Sequence, residues 1–334
     1  MFRTMFRAAA ALAVASLAAG SAAAQQFTMK LSSPTVNDQT HEYMKAFKAG
    51  VEERSKGRIK VEIYPANQLG QIPATVDGVA LGTIEMAIPA VGFFIGLEPR
   101  FQTLEASGLF ESMEHGNKVL ADAEFRKRLA TFGDAKGVEP LFAAVYAENF
   151  YITNKTLNSL ADFKGFKVRV PGAAPVYTEP LKRLGAVPLA MPLGEVLPAL
   201  QNKAIDGSTM NYPVAMAFKY YDVAKSMTRM PGGFQLVAGV VNRSFMKSLG
   251  PELEAIVREE SIKAEAKYGA WALELVERQK DAWSKAGGRI VSFSADDAKK
   301  YQDTADAAVA AVVGQNAKMK DDLDAIRALA GKHR

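Results

Sequence analysis

Residues 251–286 read PELEAIVREESIKAEAKYGAWALELVERQKDAWSKA. Pro251 opens the run, Gly287-Gly288 closes it, and Gly269 is the one weak helix former between them. About 36 residues at about 1.5 Å each predict a helix about 54 Å long, nearly twice the width of a small domain. Such a helix cannot be confined to one body. Its apolar residues Ile256, Ile262, Trp271, Leu275 and Trp283 are spread along the length, as a brace packed on two lobes requires. Strict a/d heptads are not sustained, which disfavours a coiled-coil seam.

Outward from this helix the chain alternates strand and helix patterns. Phe27–Ser32 reads as a buried strand, 38–55 as a helix through Tyr43, Phe47 and Val51, and RIKVEIY at 58–64 as a period-two strand stopped by Pro65. A helix over 71–81 and an apolar strand at 84–89 complete a β-α-β-α-β order, which argues for an α/β lobe with a largely parallel sheet. A second unit begins near residue 148. It comprises strands at 150–154, 167–170, 205–210 and 234–242 and helices at 175–185, 195–201 and 213–224. The expected division is a first lobe of 25–147 plus 236–275 and a second of 148–235 plus 276–334.

The 334 residues include 41 Lys+Arg, 36 Asp+Glu, three His and no Cys, with 49% hydrophobic and 23% charged residues. Without cysteine there is no thiol nucleophile, zinc ribbon, iron–sulfur site or lipoprotein anchor. Three histidines make a His-rich metal site an unattractive reading; His41 and His115 fit surface or capping roles better. At the start, Arg3 and Arg7 precede an apolar run from Ala8 to Ala19 and the small-residue stretch Gly20-Ser21-Ala22-Ala23-Ala24. That order predicts a cleaved secretory signal over 1–24, too short to span a bilayer. Its removal leaves 39 bases against 36 acids. This slight surplus, with no basic run or aromatic platform, argues against nucleic acid and suits an anionic small ligand.

Catalytic templates are missing: there is no G-x-S-x-G elbow, Walker loop, dinucleotide glycine fingerprint or H-E-x-x-H. A carboxylate pair among 36 acids keeps an exported lyase or hydrolase as a rival reading. Ligands of open α/β folds bind beyond the carboxyl ends of strands, where Arg169 lies in Lys167-Val168-Arg169-Val170-Pro171. Its planar fork matches a carboxylate; an ordinary salt bridge is the alternative, and the pattern alone leaves both open.

Several motifs resemble one family. LADFKGFKVRVP at 160–171 is similar to the "DLKGLKIRVP" signature of DctP-type solute-binding proteins, which serve tripartite ATP-independent periplasmic (TRAP) transporters. GRIKVEIYP at 57–65 with Gln68-Leu69-Gly70 resembles "GRIKVEIYP..QLG", and GTIEM at 82–86 resembles "GTIDM". MPLGEV at 191–196 with Ala199-Leu200-Gln201 resembles "MPFGEVYTALQ"; AIDG at 204–207 and KYYDVAK at 219–225 are also typical. The resemblance implies two α/β lobes of the periplasmic binding protein fold, a ligand cleft between them and a long helix across both. It implies capture of an organic acid, with Arg169 gripping the carboxylate, and delivery to a TRAP permease in the periplasm; no cofactor or metal is expected. A monomer is expected. A ligand-presenting partner of a sensor kinase is the other functional alternative.

Departures from the pattern bear on the ligand. Asn149 occupies the place of a second arginine found in many relatives. Ser208-Thr209-Met210-Asn211 replaces the acid and amide of "DGxEN", which removes a group that would hold a bridging cation. Residues 105–110, EASGLF, stand in the region of the usual "LPFLF". One anchoring cation favours a monocarboxylate, 2-oxo acids included. Phe93, Phe94, Tyr151, Met210 and Phe234 would give an apolar wall for an aromatic or branched acid, with Thr209, Asn211 and Gln68 completing the candidate site.

Overall fold

The computed structural model describes residues 25–334; the expected signal over 1–24 lies outside the described residues. The first elements are β1 (Phe27–Ser32), α1 (Gln39–Arg54), β2 (Ile59–Tyr64), α2 (Ile72–Leu81) and β3 (Met86–Ala87). They follow the predicted β-α-β-α-β order, and β1 pairs in parallel with both β2 and β3. Helix α1 starts where Asp38 Oδ1 accepts the His41 N–H at 2.9 Å, a side-chain cap on an otherwise orphaned donor. Short helices α3 (Met113–Ala121) and α4 (Ala123–Leu129) then lead into β4 (Val138–Thr153).

The second half continues with β5 (Lys167–Val170), α5 (Pro175–Arg183), β6 (Val187–Ala190), α6 (Leu193–Gln201), β7 (Gly207–Met210) and α7 (Tyr212–Ala217). It ends with β8 (Ser226–Asn242), α8 (Arg243–Ser248), α9 (Gly250–Lys285), β9 (Arg289–Val291), α10 (Ala295–Val313) and α11 (Ala317–Lys332). The sheet runs β2-β1-β3-β8-β4-β7-β5-β6, with β9 beside β8. Parallel pairs β1/β2/β3 and β5/β6/β7 lie at its two ends, joined by the antiparallel pair β4/β8. Each outer group with its helices forms one lobe, and β4 and β8, about 50 Å long at about 3.3 Å per residue, run through both.

The strands expected at 150–154 and 234–242 are therefore only parts of β4 and β8. The intervening Met230-Pro231-Gly232-Gly233 reads as a breaker but is absorbed as a bulge. Phe150 faces Arg229 and Glu148 faces Phe234, so four residues of β8 oppose the single Asn149. Gly232 has φ +61, a region that favours glycine, and its carbonyl accepts the Gly108 N–H at 2.9 Å. The helix expected over 213–224 is also cut: Lys219 at φ +54 ends it, and Tyr220–Asp222 is a single 3-10 turn.

Helix α9 forms as predicted, but its buried stripe differs. Leu253, Ile256, Val257, Glu260, Ser261, Ala264, Tyr268 and Ala272 recur every three or four residues and face α1, while Ile262 is exposed. Tyr43 and Ser261 hydroxyls lie 2.8 Å apart, and those of Thr40 and Tyr268 3.0 Å apart. Further along, α9 packs on α7, and buried Trp283 anchors its end near β9. One helix thus touches elements of both lobes.

The assignment of 276–334 as a block to the second lobe fails for its last helix. Helix α10 packs on α5, but α11 lies against Pro99–Glu105, α3 and α4 of the first lobe. Asp322, 1% exposed, accepts Arg100 Nε at 2.6 Å, Arg100 Nη2 at 2.9 Å and Arg128 Nη1 at 2.9 Å. His115, expected at the surface or a cap, is buried instead, its Nε2 2.9 Å from the Ala330 carbonyl. Replacing Asp322 by Ala leaves two part-buried guanidiniums without their shared partner. Asp322→Ala is expected to destabilise the protein by about 2–3 kcal/mol, read as a lowered urea midpoint.

Candidate functional site

Strand β5 is the middle of three parallel strands: Arg169 pairs with Leu189 of β6 and Ser208 of β7. Period-two alternation sends Val168 and Val170 into the apolar core, and Arg169 to the opposite face near the strand's carboxyl end. There the residue is 4% exposed. Nε donates to the Met191 carbonyl at 2.9 Å, which fixes the plane of the fork and leaves the two Nη groups for another acceptor. Among the described residues no carboxylate lies within 4.0 Å of it, so it is no internal salt bridge. Burial draws its pKa down to about 10, with nearby Tyr220 and Tyr177 opposing, so the cation persists at neutral pH. A buried cation without a partner is costly, and an anion delivered to the Nη groups would offset that cost.

Arg169 lines a cleft of about 530 Å³ between the lobes. The first lobe contributes Thr35, Thr40, Ile72, Ile88, Phe93 and Tyr146; the second contributes Pro171, Leu193, Thr209, Met210, Asn211 and Val214; Gln235 and Val237 come from β8. Arg169 is the one charged side chain in this lining. Tyr146 is held by its hydroxyl, which donates to Asp38 Oδ2 at 2.7 Å. Asn211 Oδ1 accepts the Val214 N–H at 3.1 Å, and Thr209 Oγ1 donates to the Arg169 carbonyl at 3.2 Å. The lobes meet at the mouth, where a Cβ added to Gly172 would stand 2.6 Å from the Gly92 carbonyl oxygen.

Of the residues expected at the site, Arg169, Thr209, Met210, Asn211 and Phe93 converge on this cleft, and the others lie elsewhere. Phe94, next to Phe93 in the 3-10 turn Val91–Phe94, points the other way and packs against Phe101 in the core, the rings tilted by 34°. Tyr151 and Phe234 line a second, smaller cavity, the Tyr151 hydroxyl 2.6 Å from that of Tyr301. Asn149, opposite the β8 bulge, is buried with an unpartnered Nδ2 and is not part of the cleft lining. Gln68 is exposed on the loop after β2. Sequence reasoning missed Tyr146, Gln235, Thr35 and Thr40. Thr35, just after β1 at its carboxyl end, fitted the strand-end rule already applied to Arg169, and Thr40 lies in the first turn of α1 that follows. Among the described residues no group of three or more His, Asp or Glu side chains could hold a metal ion.

The family model described as bacterial extracellular solute-binding protein, family 7 (DctP), matches residues 32–316. The chain belongs to this family. A family 7 chain with this cleft is also 29% identical over 263 residues to the 2,3-diketo-L-gulonate-binding periplasmic protein YiaO of Escherichia coli K12, covering 76% of this chain and 77% of that one. In fold it is similar to a TRAP periplasmic solute binding protein from Desulfovibrio salexigens with bound orotic acid. That match has a TM-score of 0.86 at 22% identity and covers 92% of this chain and 99% of the other. Similar too is a TRAP periplasmic solute binding protein from Haemophilus influenzae with bound L-gulonate, at TM-score 0.84, 22% identity, and 91% and 99% coverage. These likenesses carry the two-lobed fold expected from the motifs.

The Gly172–Gly92 contact brings backbone of the two lobes together beside the cleft. Gly172→Ala places a methyl group against backbone and is expected to hold the lobes further apart. Small-angle scattering would show a larger radius of gyration, with the thermal midpoint changed by no more than about 3 °C.

Proposed function

We propose that this family 7 protein captures an organic monocarboxylate in the cleft and passes it to a TRAP permease, outside the cytoplasm after removal of the segment 1–24. The observation that carries the reading is the buried Arg169 guanidinium, with no internal carboxylate partner among the described residues and its two Nη groups turned to a cleft without any acid. YiaO, orotate and L-gulonate point the same way: each named ligand carries a carboxyl group. The absence of acids from the cleft lining gives the rival reading, a carboxylate-pair enzyme, no support.

Arg169 is the one charged side chain of the lining, so a single charge is there to neutralise, which suits one carboxylate rather than two. The lining beyond Arg169 is largely apolar, with Ile72, Ile88, Phe93, Leu193, Met210, Val214 and Val237. That favours a branched or aromatic body over a polyhydroxylated one, whose hydroxyls would go unpaired. Asn211, Gln235 and Tyr146 offer partners for one further polar group, such as a 2-oxo or hydroxyl oxygen. Two charge-assisted bonds supply about 1.5–3 kcal/mol each, whereas micromolar binding needs about 8 kcal/mol. The remainder comes from apolar surface covered when the lobes close, with 25–147, 236–275 and 317–332 moving against 148–235 and 276–313.

A thermal-shift panel of phenylacetate, 4-hydroxybenzoate, 4-methyl-2-oxopentanoate, lactate and succinate tests the reading. Stabilisation by one of the first three and not by succinate is expected, and a response to succinate alone would overturn the monocarboxylate assignment. Arg169→Lys loses the planar fork; calorimetric titration of the best acid is expected to show binding weakened about tenfold or more. Unchanged affinity would remove Arg169 as the anchor.

A further inference from the structure

Glu105 has no part in the cleft just described, yet it is buried, its residue 8% exposed at the end of the segment Pro99–Glu105. Oε1 accepts the Gly92 N–H at 3.1 Å. The carboxyl lies so close to this turn that a Cβ added to Gly92 would stand 3.3 Å from Oε1. Gly92 is joined on one side to Phe93, which lines the cleft, and its carbonyl meets Gly172 across the mouth. A single turn therefore connects Glu105 to both the ligand-facing ring and the contact between the lobes.

On its other side Glu105 faces the second, narrow cavity, walled by Tyr177 and Leu181 of α5, Tyr301 and Ala305 of α10, and Tyr151 of β4. Glu105 and Ser107 enter it from the first-lobe segment, and the helices come from the second lobe, so the cavity opens when the lobes part. The other titratable groups in its lining are the three tyrosines, each pushed up by burial and neutral near pH 7. β8 contributes Met230, Gly233 and Phe234, and no charge. On the far face of the segment Arg100 is engaged by Asp322 of α11. Burial among these groups pushes the Glu105 carboxyl up to about 7, with only the Gly92 N–H opposing.

We infer that Glu105 is a positioning residue that couples lobe closure to proton uptake, its neutral carboxyl being the form that fits between Gly92 and the tyrosine-lined cavity. The inference rests on reading the cleft as a hinged trap. Well above about pH 7 the carboxylate is charged in both arrangements, and the closed one bears the full cost of burying it. As pH falls through about 7 the closed form takes up a proton that the open form, with the group in water, binds only in the ordinary carboxylate range. Closure is favoured progressively over that window, and the gain is complete once the open form is protonated too.

The test uses the ligand-free chain, whose lack of cysteine permits spin labels at Glu53→Cys on α1 and Asn202→Cys at the end of α6. Pulsed electron spin resonance would compare interlobe distances at about pH 8 and about pH 6. The short-distance population is expected to rise about threefold or more on acidification. Glu105→Gln keeps an oxygen for the Gly92 N–H and cannot ionise; it is expected to be insensitive to pH and as closed at pH 8 as the parent at pH 6. Distances unchanged by pH in the parent, or a shift that persists in Glu105→Gln, would overturn the inference. Arg169→Lys in the same labelled chain should keep the pH response while losing acid affinity, so failure of the acid-binding reading and failure of the proton coupling are told apart.

Discussion

A guanidinium taken out of water with no carboxylate beside it among the described residues is the feature around which this molecule is arranged. Arg169 is tolerable there because Nε is satisfied by the Met191 carbonyl and because the surrounding strands cannot give way. β5 is flanked by β6 and β7, and Val168 and Val170 lock it to the second-lobe core. The fork is thus placed before any ligand arrives, so binding loses little entropy in ordering it. Specificity then depends on what the opposite wall presents, and that wall is largely apolar.

Joining the walls without fixing them is a separate problem, and the long segments solve it. β4 and β8 give a continuous ladder from one lobe to the other, yet three register irregularities interrupt their pairing. The largest sits at Met230–Gly233, opposite Asn149, and is docked by Gly108 and Ser107 of the first lobe. A ladder broken at such a point bends more readily than a regular one. Helix α9 adds stiffness of another kind. Gly50 and Gly269 let it lie close to neighbouring groups, since a Cβ at either would collide with Glu260 or Asn117. Between Ala272 and Trp283 none of its residues is fully buried, as befits a span between two bodies.

What the sequence disclosed follows from which signals are local. β1 was legible residue by residue because its pattern and its boundary residues agree. Arg169 was legible as a cation at a strand end, though only the three-dimensional arrangement shows that no acid meets it. The breaks came where distant parts of the chain decide. Pro231-Gly232-Gly233 looks like a turn until a facing strand absorbs it. Ile262 looks like core on an apolar count, but the stripe chosen by α1 lies on another face. Phe93 and Phe94 are indistinguishable in sequence, and one 3-10 turn sends the first to the cleft and the second to Phe101. Tyr146 and Gln235 carried no local signal, since each gains its place from the crossing of β4 and β8.

The return of α11 to the first lobe has a consequence for biosynthesis. Leu323, Ile326 and Leu329 belong to the same buried cluster as β1 and α1, so the early-translated first lobe is completed by a helix made about 270 residues later. Until then Arg100 and Arg128 lack Asp322, and the apolar face of the Pro99–Glu105 segment lies open. Contacts this remote in sequence are slow to form, because a long loop must close before they reward it. Until α11 is made, the first lobe therefore lacks its finished native state, which leaves the nascent chain dependent on protection from aggregation.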